Sequence, residues 1–360
     1  MRNETPPAPT LEPDAIEVVV PNFNRRFSGV TTTVRTLLPV QKDMVGIAAV
    51  GDHLPQGVAT MSKWRLFTLR RAPGKRPFRI FHARRNVEMV WGVVLRDLCR
   101  LPYRLVFTSA AQRHHKRFTR WLIARMDAVI ATSPQAASYL RRPAKVIMHG
   151  IDTGRFAPSR DRAAAWAATG LPGKRGIGVF GRVRHQKGTD LFVEAMLRLL
   201  PDRPDVTAIV IGLTTPQEQA FTDALKSRIA DAGLSERILI LGEQPAESLP
   251  GWFRAISVYV APMRWEGFGL TPLEAMASQT PVVATRCGAA PALVIDGQTG
   301  ALVDVEDIDA ITDAIARLID DPALCEKMGI AGREHVENYF AVSREAREIL
   351  DVYETLWKAG

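Results

Sequence analysis

Val258 to Glu274 reads VYVAPMRWEGFGLTPLE. Its opening, Val258 to Pro262, is a short apolar run of strand-forming residues, and its close carries Pro272, which suits a helix's first turn. Between them Glu266 and Glu274 lie eight apart across a Gly-x-Gly turn. Strand, loop and helix in that order is the repeating unit of a parallel sheet covered by helices. In open sheets of this class ligands bind beyond the carboxyl ends of the strands, so this loop is the first place to look for chemistry. With a helix starting near Thr271, Glu274 sits in its first turn and faces back toward the loop. One acid can then hold sugar hydroxyls and the other ribose hydroxyls. The same spacing also permits a purely local role, with Glu274 as the capping-box partner of Thr271.

The alternation extends outward in both directions. After the linker come Gly176 to Gly181, Thr207 to Gly212, Ile238 to Gly242, Pro281 to Thr285 and Gly300 to Val303, which together with Val258 to Pro262 make one sheet. Before it come Ile16 to Pro21, Met44 to Val50, Arg79 to His82, Arg104 to Thr108, Ala128 to Ala131 and Val146 to Met148, enough for a second doubly wound sheet. The polar, Ala-rich stretch from Ala157 to Arg175 interrupts the pattern. The expected organisation is therefore a disordered lead-in over 1–14, one α/β domain over 15–165, another over 166–340, and a C-terminal helix over 341–360. In that helix Ala346, Ile349, Leu350, Tyr353, Leu356 and Trp357 share one face, which has to dock on something. A length of 360 residues suits two cores.

Composition narrows the class. Apolar residues at 46% and charged residues at 24% are those of a folded globular chain. Cys99, Cys287 and Cys325 are scattered and odd in number, so neither a disulfide framework nor a zinc site is expected, and a reducing compartment fits. No apolar run approaches the ~18 residues that cross a bilayer, and Met1 to Asp14 lacks the apolar centre of a signal peptide; the expected location is cytoplasmic, peripheral to a membrane at most. The net charge of +9 is unevenly spread: residues 1–165 hold 28 Lys+Arg against 11 Asp+Glu, leaving 19 against 27 for the rest. A basic first half attracts an anionic surface, either nucleic acid or acidic lipid.

A second loop stands after the strand ending at Phe180. Gly181 to Gly188 reads GRVRHQKG, with Arg182 and Lys187 five apart and Arg184 between them. Fixed cations beside a helix N-terminus stabilise the charge that develops on a departing pyrophosphate. Such a loop in isolation could equally be a basic surface turn.

Together, the two loops resemble those of the retaining GT-B glycosyltransferases of family four. Glu266 and Glu274 meet its Glu-x(7)-Glu motif, Arg182 and Lys187 its Gly-Arg-x(4)-Lys-Gly loop, and His149-Gly150-Ile151-Asp152 loosely its Asn-Gly-Val-Asp strand exit. The resemblance implies two Rossmann-like domains facing a cleft, with the C-terminal helix crossing back to the first. It implies that Arg182 and Lys187 hold the donor diphosphate, that Glu274 holds the ribose, and that Glu266 holds the transferred sugar. Phe268, Gly269, Leu270 and Thr271 would line the donor, and Gly29, in Ser28-Gly29-Val30 before a helix, would be the Gly-rich turn of the first domain. Transfer would be metal-independent and front-face, with no cofactor beyond the nucleotide-sugar substrate.

Arg79 to Arg85 and Leu105 to Arg120 are similar to the lipopolysaccharide core mannosyltransferases within that family, which use GDP-mannose. On that likeness the acceptor would be an anionic glycolipid such as the Kdo-lipid A inner core, reached from the inner face of the cytoplasmic membrane. His82, Arg84, Arg85, Ser109, Arg113 and Lys116 are the candidate acceptor-binding residues. The histidine that the family often carries after a middle strand is missing, because Thr108-Ser109-Ala110 stand there instead. Trp64, Phe67, Phe78, Phe118 and Trp121, interleaved with basic residues, are candidates for a membrane face or for ordinary core. Three other readings remain open at this level: a UDP-sugar transferase, a basic nucleic-acid-binding protein and a sugar-nucleotide epimerase. The nucleic-acid reading leaves both second-half loops unexplained. The epimerase expects catalytic acids in the first half, which is poor in them.

Overall fold

The structure, a computed structural model, describes residues 10–25 and 28–360. It divides into two compact units, Met1–Gly150 with Val342–Gly360, and Ile151–Ala341.

The first unit is built on seven parallel strands: β1 Val18–Asn22, β2 Ile47–Gly51, β3 Ala59–Met61, β4 Arg79–Ala83, β5 Tyr103–Ser109, β6 Ala128–Ala131 and β7 Lys145–Val146. Their order is β3-β2-β1-β4-β5-β6-β7. Helices α1 Gly29–Gln41, α2 Asn86–Val93, α3 Arg117–Ala124 and α4 Pro134–Ser138 fill the crossovers that follow β1, β4, β5 and β6. The sheet is buried on both faces, which is why its strands read as nearly unbroken apolar runs. On one face Val19, Phe81, Leu105 and Phe107 pack with Met89, Leu122 and Ile123.

The second unit has six parallel strands: β8 Arg175–Phe180, β9 Val206–Ile211, β10 Ile238–Gly242, β11 Val258–Ala261, β12 Val282–Thr285 and β13 Gly300–Val303, ordered β10-β9-β8-β11-β12-β13. Its helices are α5 Arg162–Ala167, α6 Thr189–Leu199, α7 Gln219–Asp231, α8 Leu249–Ala255, α9 Thr271–Ala277, α10 Ala290–Leu293, α11 Ile308–Asp320 and α12 Pro322–Tyr339. The last helix, α13 Val342–Lys358, belongs to the first unit. There its Ala346, Ile349, Tyr353 and Trp357 close the other face of the seven-stranded sheet with Val34, Leu37 and Leu38 of α1. The Trp357 indole N–H donates to the Phe78 carbonyl at 3.0 Å, so its one polar atom is satisfied in the core.

Three features differ from the sequence expectation. β3 is a seventh strand where six were read; as a three-residue sheet edge, ATM, it has too little apolar length to signal itself. The units part at Gly150, not at 165: Trp166 is buried against Gly176, where a Cβ would come within 2.1 Å of its ring, so the Ala-rich stretch packs on the second sheet. Part of the lead-in is ordered. Pro13–Ala15 form a short 3-10 turn, the Pro13 carbonyl accepts from Arg79 Nη2 at 2.6 Å, and the Asp14 carbonyl accepts from Gly74 N at 2.9 Å. The remainder of that expectation, residues 1–9, lies outside the described residues.

Candidate active site

Strand order reverses between β8 and β11, because β9 and β10 lie to one side of β8 while β11, β12 and β13 lie to the other. At such a switch point the loops leaving the two central strands diverge and leave a crevice that nothing in the sheet fills. The loops leaving β8 and β11 are Gly181–Gly188 and Pro262–Leu270, the two that carry the charged motifs. Chain topology thus brings the loop of Arg182 and Lys187 beside the loop of Glu266, and Lys187 meets Glu266, 79 positions away in sequence.

The two loops are fastened into one body. Gly188 has φ +70°, and a Cβ there would sit 1.8 Å from the Pro262 carbonyl oxygen, so only glycine allows the backbones to meet. Arg264 binds across the seam. Its backbone N–H donates to the Gln186 carbonyl at 3.0 Å and its guanidinium to the His185 carbonyl at 2.6 Å. The same guanidinium holds both Asp190 oxygens at 2.8 Å. Gln186 Nε2 returns a bond to the Trp265 carbonyl at 3.0 Å. The hydrogen bonds it donates to Asp190, and then to Glu306, outweigh burial and raise the Arg264 guanidinium's already high pKa. Sequence reading missed Arg264 because its partners are 74 and 79 positions distant and no local spacing announces them.

Inside this body Lys187 Nζ forms an ion pair with Glu266 Oε2, both side chains being about one-fifth exposed. Glu266 Oε1 accepts from the Gly267 amide at 2.9 Å. Gly269 takes φ +87° beneath it, and the backbone at Gly288 after β12 presses on the Glu266 main chain. Lys187 and Glu266 therefore neutralise each other. Arg182 is exposed, and Phe268 is buried under the turn.

Helix α9 begins at Thr271, with Leu270 before it and no side-chain cap. The capping-box alternative for Glu274 is thereby removed. Its carboxyl is pushed up to about 7 by loss of hydration, with the Arg155 guanidinium pulling the other way. A raised folded pKa means that this group's contribution to stability is complete below the ordinary carboxylate range and is lost as pH rises through about 7. Ligand binding has the opposite sign if ribose hydroxyls donate to the ionised carboxylate. Nucleotide affinity should then climb toward pH 7, by up to about tenfold per unit, and level off above it. Calorimetric titration of the wild type and of Glu274→Gln checks this, since the diphosphate's own ionisation is common to both. Identical pH profiles would refute the role.

The first sheet reverses order between β1 and β4, and the loops leaving those strands carry Gly29, Arg84 and Arg85, whereas Arg113 and Lys116 follow β5. Gly29 opens α1 with nothing within 4 Å of where a Cβ would stand. Arg85 ties the two loops, donating to Asn22 Oδ1 at 2.6 Å, Glu88 Oε1 at 2.9 Å, Ser28 Oγ at 3.1 Å and Thr31 Oγ1 at 3.2 Å. Arg84 is partly buried, and its Nη1 is buried without a hydrogen-bond partner. Burial lowers its guanidinium's pKa despite the neighbouring Tyr353, Glu345 and Glu88.

Two candidates from the sequence are not surface groups. His82 has 0% exposure, and its ring nitrogens meet Tyr353 Oη at 2.5 Å and Thr108 Oγ1 at 2.7 Å. Burial, and then the nearby Arg84, holds its pKa well below the usual value, so it is a neutral core histidine and not an acceptor ligand. Ser109 is 2% exposed, and its hydroxyl lies 3.4 Å from His115 Nε2. Arg113 and Lys116, in the loop beyond it, are exposed. Phe78 is core, whereas Trp64, Phe118 and Trp121 are exposed.

Residues 165–335 match the glycosyl transferases group 1 family. A lipopolysaccharide core biosynthesis mannosyltransferase of Rhizobium leguminosarum bv. viciae is 51% identical over 343 residues, covering 95% of this chain and 97% of its own. A second, from Rhizobium meliloti, is 50% identical over 347 residues, covering 95% and 98%. The solved C-terminal domain of a group 1 glycosyl transferase from Francisella tularensis is 39% identical, with a TM-score of 0.52, over 53% of this chain and 99% of that one. HepE of Anabaena, solved with UDP and glucose, shares the fold at 19% identity, with a TM-score of 0.80 over 94% of this chain and 100% of that one.

Proposed function

Since the chain belongs to the glycosyl transferases group 1 family, has two Rossmann-like domains of GT-B type and is a hexosyltransferase, its fastened loops have a reaction to serve, and we propose that they hold GDP-mannose for transfer to an anionic glycolipid of the lipopolysaccharide inner core. The observation that carries this reading is the body made by the two loops, a cation paired with one carboxylate beside a second carboxylate of raised pKa, at the sheet's switch point. The diphosphate would take Lys187 and Arg182, releasing Glu266 to accept from sugar hydroxyls, while Glu274 accepts from the ribose.

Transfer would retain configuration. The bond from the anomeric carbon to the phosphate oxygen breaks, the acceptor oxygen bonds on the same face, and its proton passes to the departing phosphate. Lys187 and Arg182 stabilise the charge gathering on that phosphate. Mannose as the sugar rests on the two Rhizobium relatives, whose names specify mannosyltransfer in lipopolysaccharide core biosynthesis. The acceptor's negative charge, and its place on an acidic membrane face, are supported by the excess of Lys+Arg in residues 1–165, 28 against 11.

A donor screen tests the proposal. Purified protein is offered GDP-mannose, UDP-glucose and UDP-N-acetylglucosamine, with thermal shift and donor hydrolysis as readouts. GDP-mannose is expected to give the largest of both. A larger response to a UDP-sugar would replace the donor, and no response to any nucleotide sugar would end the reading of the two loops.

A further inference from the structure

Between Arg100 and Met126 the chain has seven Lys+Arg and no Asp or Glu. This stretch contains β5, the loop beyond Ser109, and α3. Thr119, Leu122 and Ile123 of α3 face the core and are buried. The outward face is not the polar one that a solvated helix presents. Phe118 is 58% exposed and Trp121 47% exposed, one turn apart, with rings stacked at 6.0 Å and 14°. The Arg125 guanidinium covers the Trp121 ring at 4.4 Å, while Lys116 and Arg117 flank Phe118 at the helix's start. Two aromatic rings stacked in water while their own helix buries its other face form a shelf, and cations rim it.

We propose that this α3 shelf is a docking surface for an acidic lipid bilayer, with Phe118 and Trp121 entering the headgroup layer and Arg117 and Arg120 meeting lipid phosphates. Aromatic side chains favour that layer, and basic residues beside it gain from the negative surface potential. A lipid occupant fits where a protein groove would not, because the shelf is aromatic and its rim is basic, Lys116, Arg117 and Arg120 standing beside the rings while Arg125 is held by Asp97 at 3.0 Å. Direction supports the same partner. The basic loop of Arg113 and Lys116 runs from the carboxyl end of β5 to the start of α3, so a shelf lying on a bilayer brings the lipid surface alongside the sheet end where the candidate acceptor residues stand. The inference rests on the glycolipid reading for its purpose, but not for its test.

Vesicles of phosphatidylglycerol and phosphatidylethanolamine, and vesicles of phosphatidylcholine alone, are sedimented with the full chain, with Phe118→Ser/Trp121→Ser, and with Arg117→Glu/Arg120→Glu. The wild type should partition onto acidic vesicles only. The aromatic pair should weaken partitioning by about tenfold or more, and the charge reversal should weaken it further. Both variants, whose changes are at the surface and outside the donor loops, should keep wild-type donor hydrolysis and melting temperature. Wild-type partitioning in both variants would overturn the proposal, as would wild-type protein that ignores acidic vesicles but binds duplex DNA through the same residues. If no nucleotide sugar is consumed while the variants still lose vesicle binding, the docking surface stands and the donor reading fails.

Discussion

Lys187→Ala is expected to lower kcat by about two to three orders of magnitude, the usual loss when a preorganised stabiliser of developing negative charge is removed. The melting temperature should stay close to that of the wild type. Lys187 and Glu266 are each about one-fifth exposed, so separating them does not strand a charge in a dry interior. The partner change has a sign that a merely structural ion pair would not produce. In Glu266→Gln, Lys187 is no longer neutralised, so the product nucleoside diphosphate should bind more tightly, while transfer falls because the sugar has lost its acceptor group. Steady-state kinetics with calorimetry of GDP separates the two. Weaker GDP binding in Glu266→Gln would show that the carboxylate builds the phosphate site and does not guard it.

Gly188→Ala should be among the most damaging single methyl additions in the second unit. Its φ is +70°, and the new Cβ would lie 1.8 Å from the Pro262 carbonyl oxygen, a contact that backbone cannot relieve without parting the loops. Gly170 is the control, with φ +71° and nothing within 4 Å of its Cβ position. Its alanine variant should lose only the left-handed penalty of about 1 to 2 kcal/mol. Gly188→Ala should lose that and at least about as much again from overpacking, with turnover nearly abolished. Denaturant unfolding of the two variants side by side measures the difference. Equal losses would mean that the seam between the loops yields easily and that Gly188 matters only for its dihedral angle.

The fold was readable where burial is symmetric. β1, β4 and β5 lie inside a sheet covered on both faces, so each is an apolar run bounded by polar residues, and so are β8, β9 and β11. β3 was not readable, since a short strand at a sheet edge needs only backbone pairing, here Ala48 to Ala59 through Val50 to Met61. The donor-site candidates were legible because Glu266 and Glu274 stand on one loop and the helix it runs into, and Arg182 and Lys187 on one loop. What sequence could not supply is the pairing of residues brought together by strand order. The Lys187 bond to Glu266 and the Arg264 bridge to Asp190 both depend on β8 lying next to β11. His82 illustrates the converse. Its place at a strand's end suggests a site, yet Tyr353, 271 residues later, covers it and makes it part of the core.

The packing of α13 bears on how the chain folds as it is made. Residues Ile151–Ala341 form one contiguous unit, whereas the first unit is discontinuous and takes back Val342–Gly360. During vectorial synthesis the seven-stranded sheet is complete early, but its face around Val34, Leu37 and Leu38 stays bare until Ile349, Tyr353 and Trp357 have left the ribosome. The unit translated second can therefore reach its native state before the unit translated first. Until then the nascent N-terminal half carries an unclosed apolar face, the kind of surface that chaperones recognise.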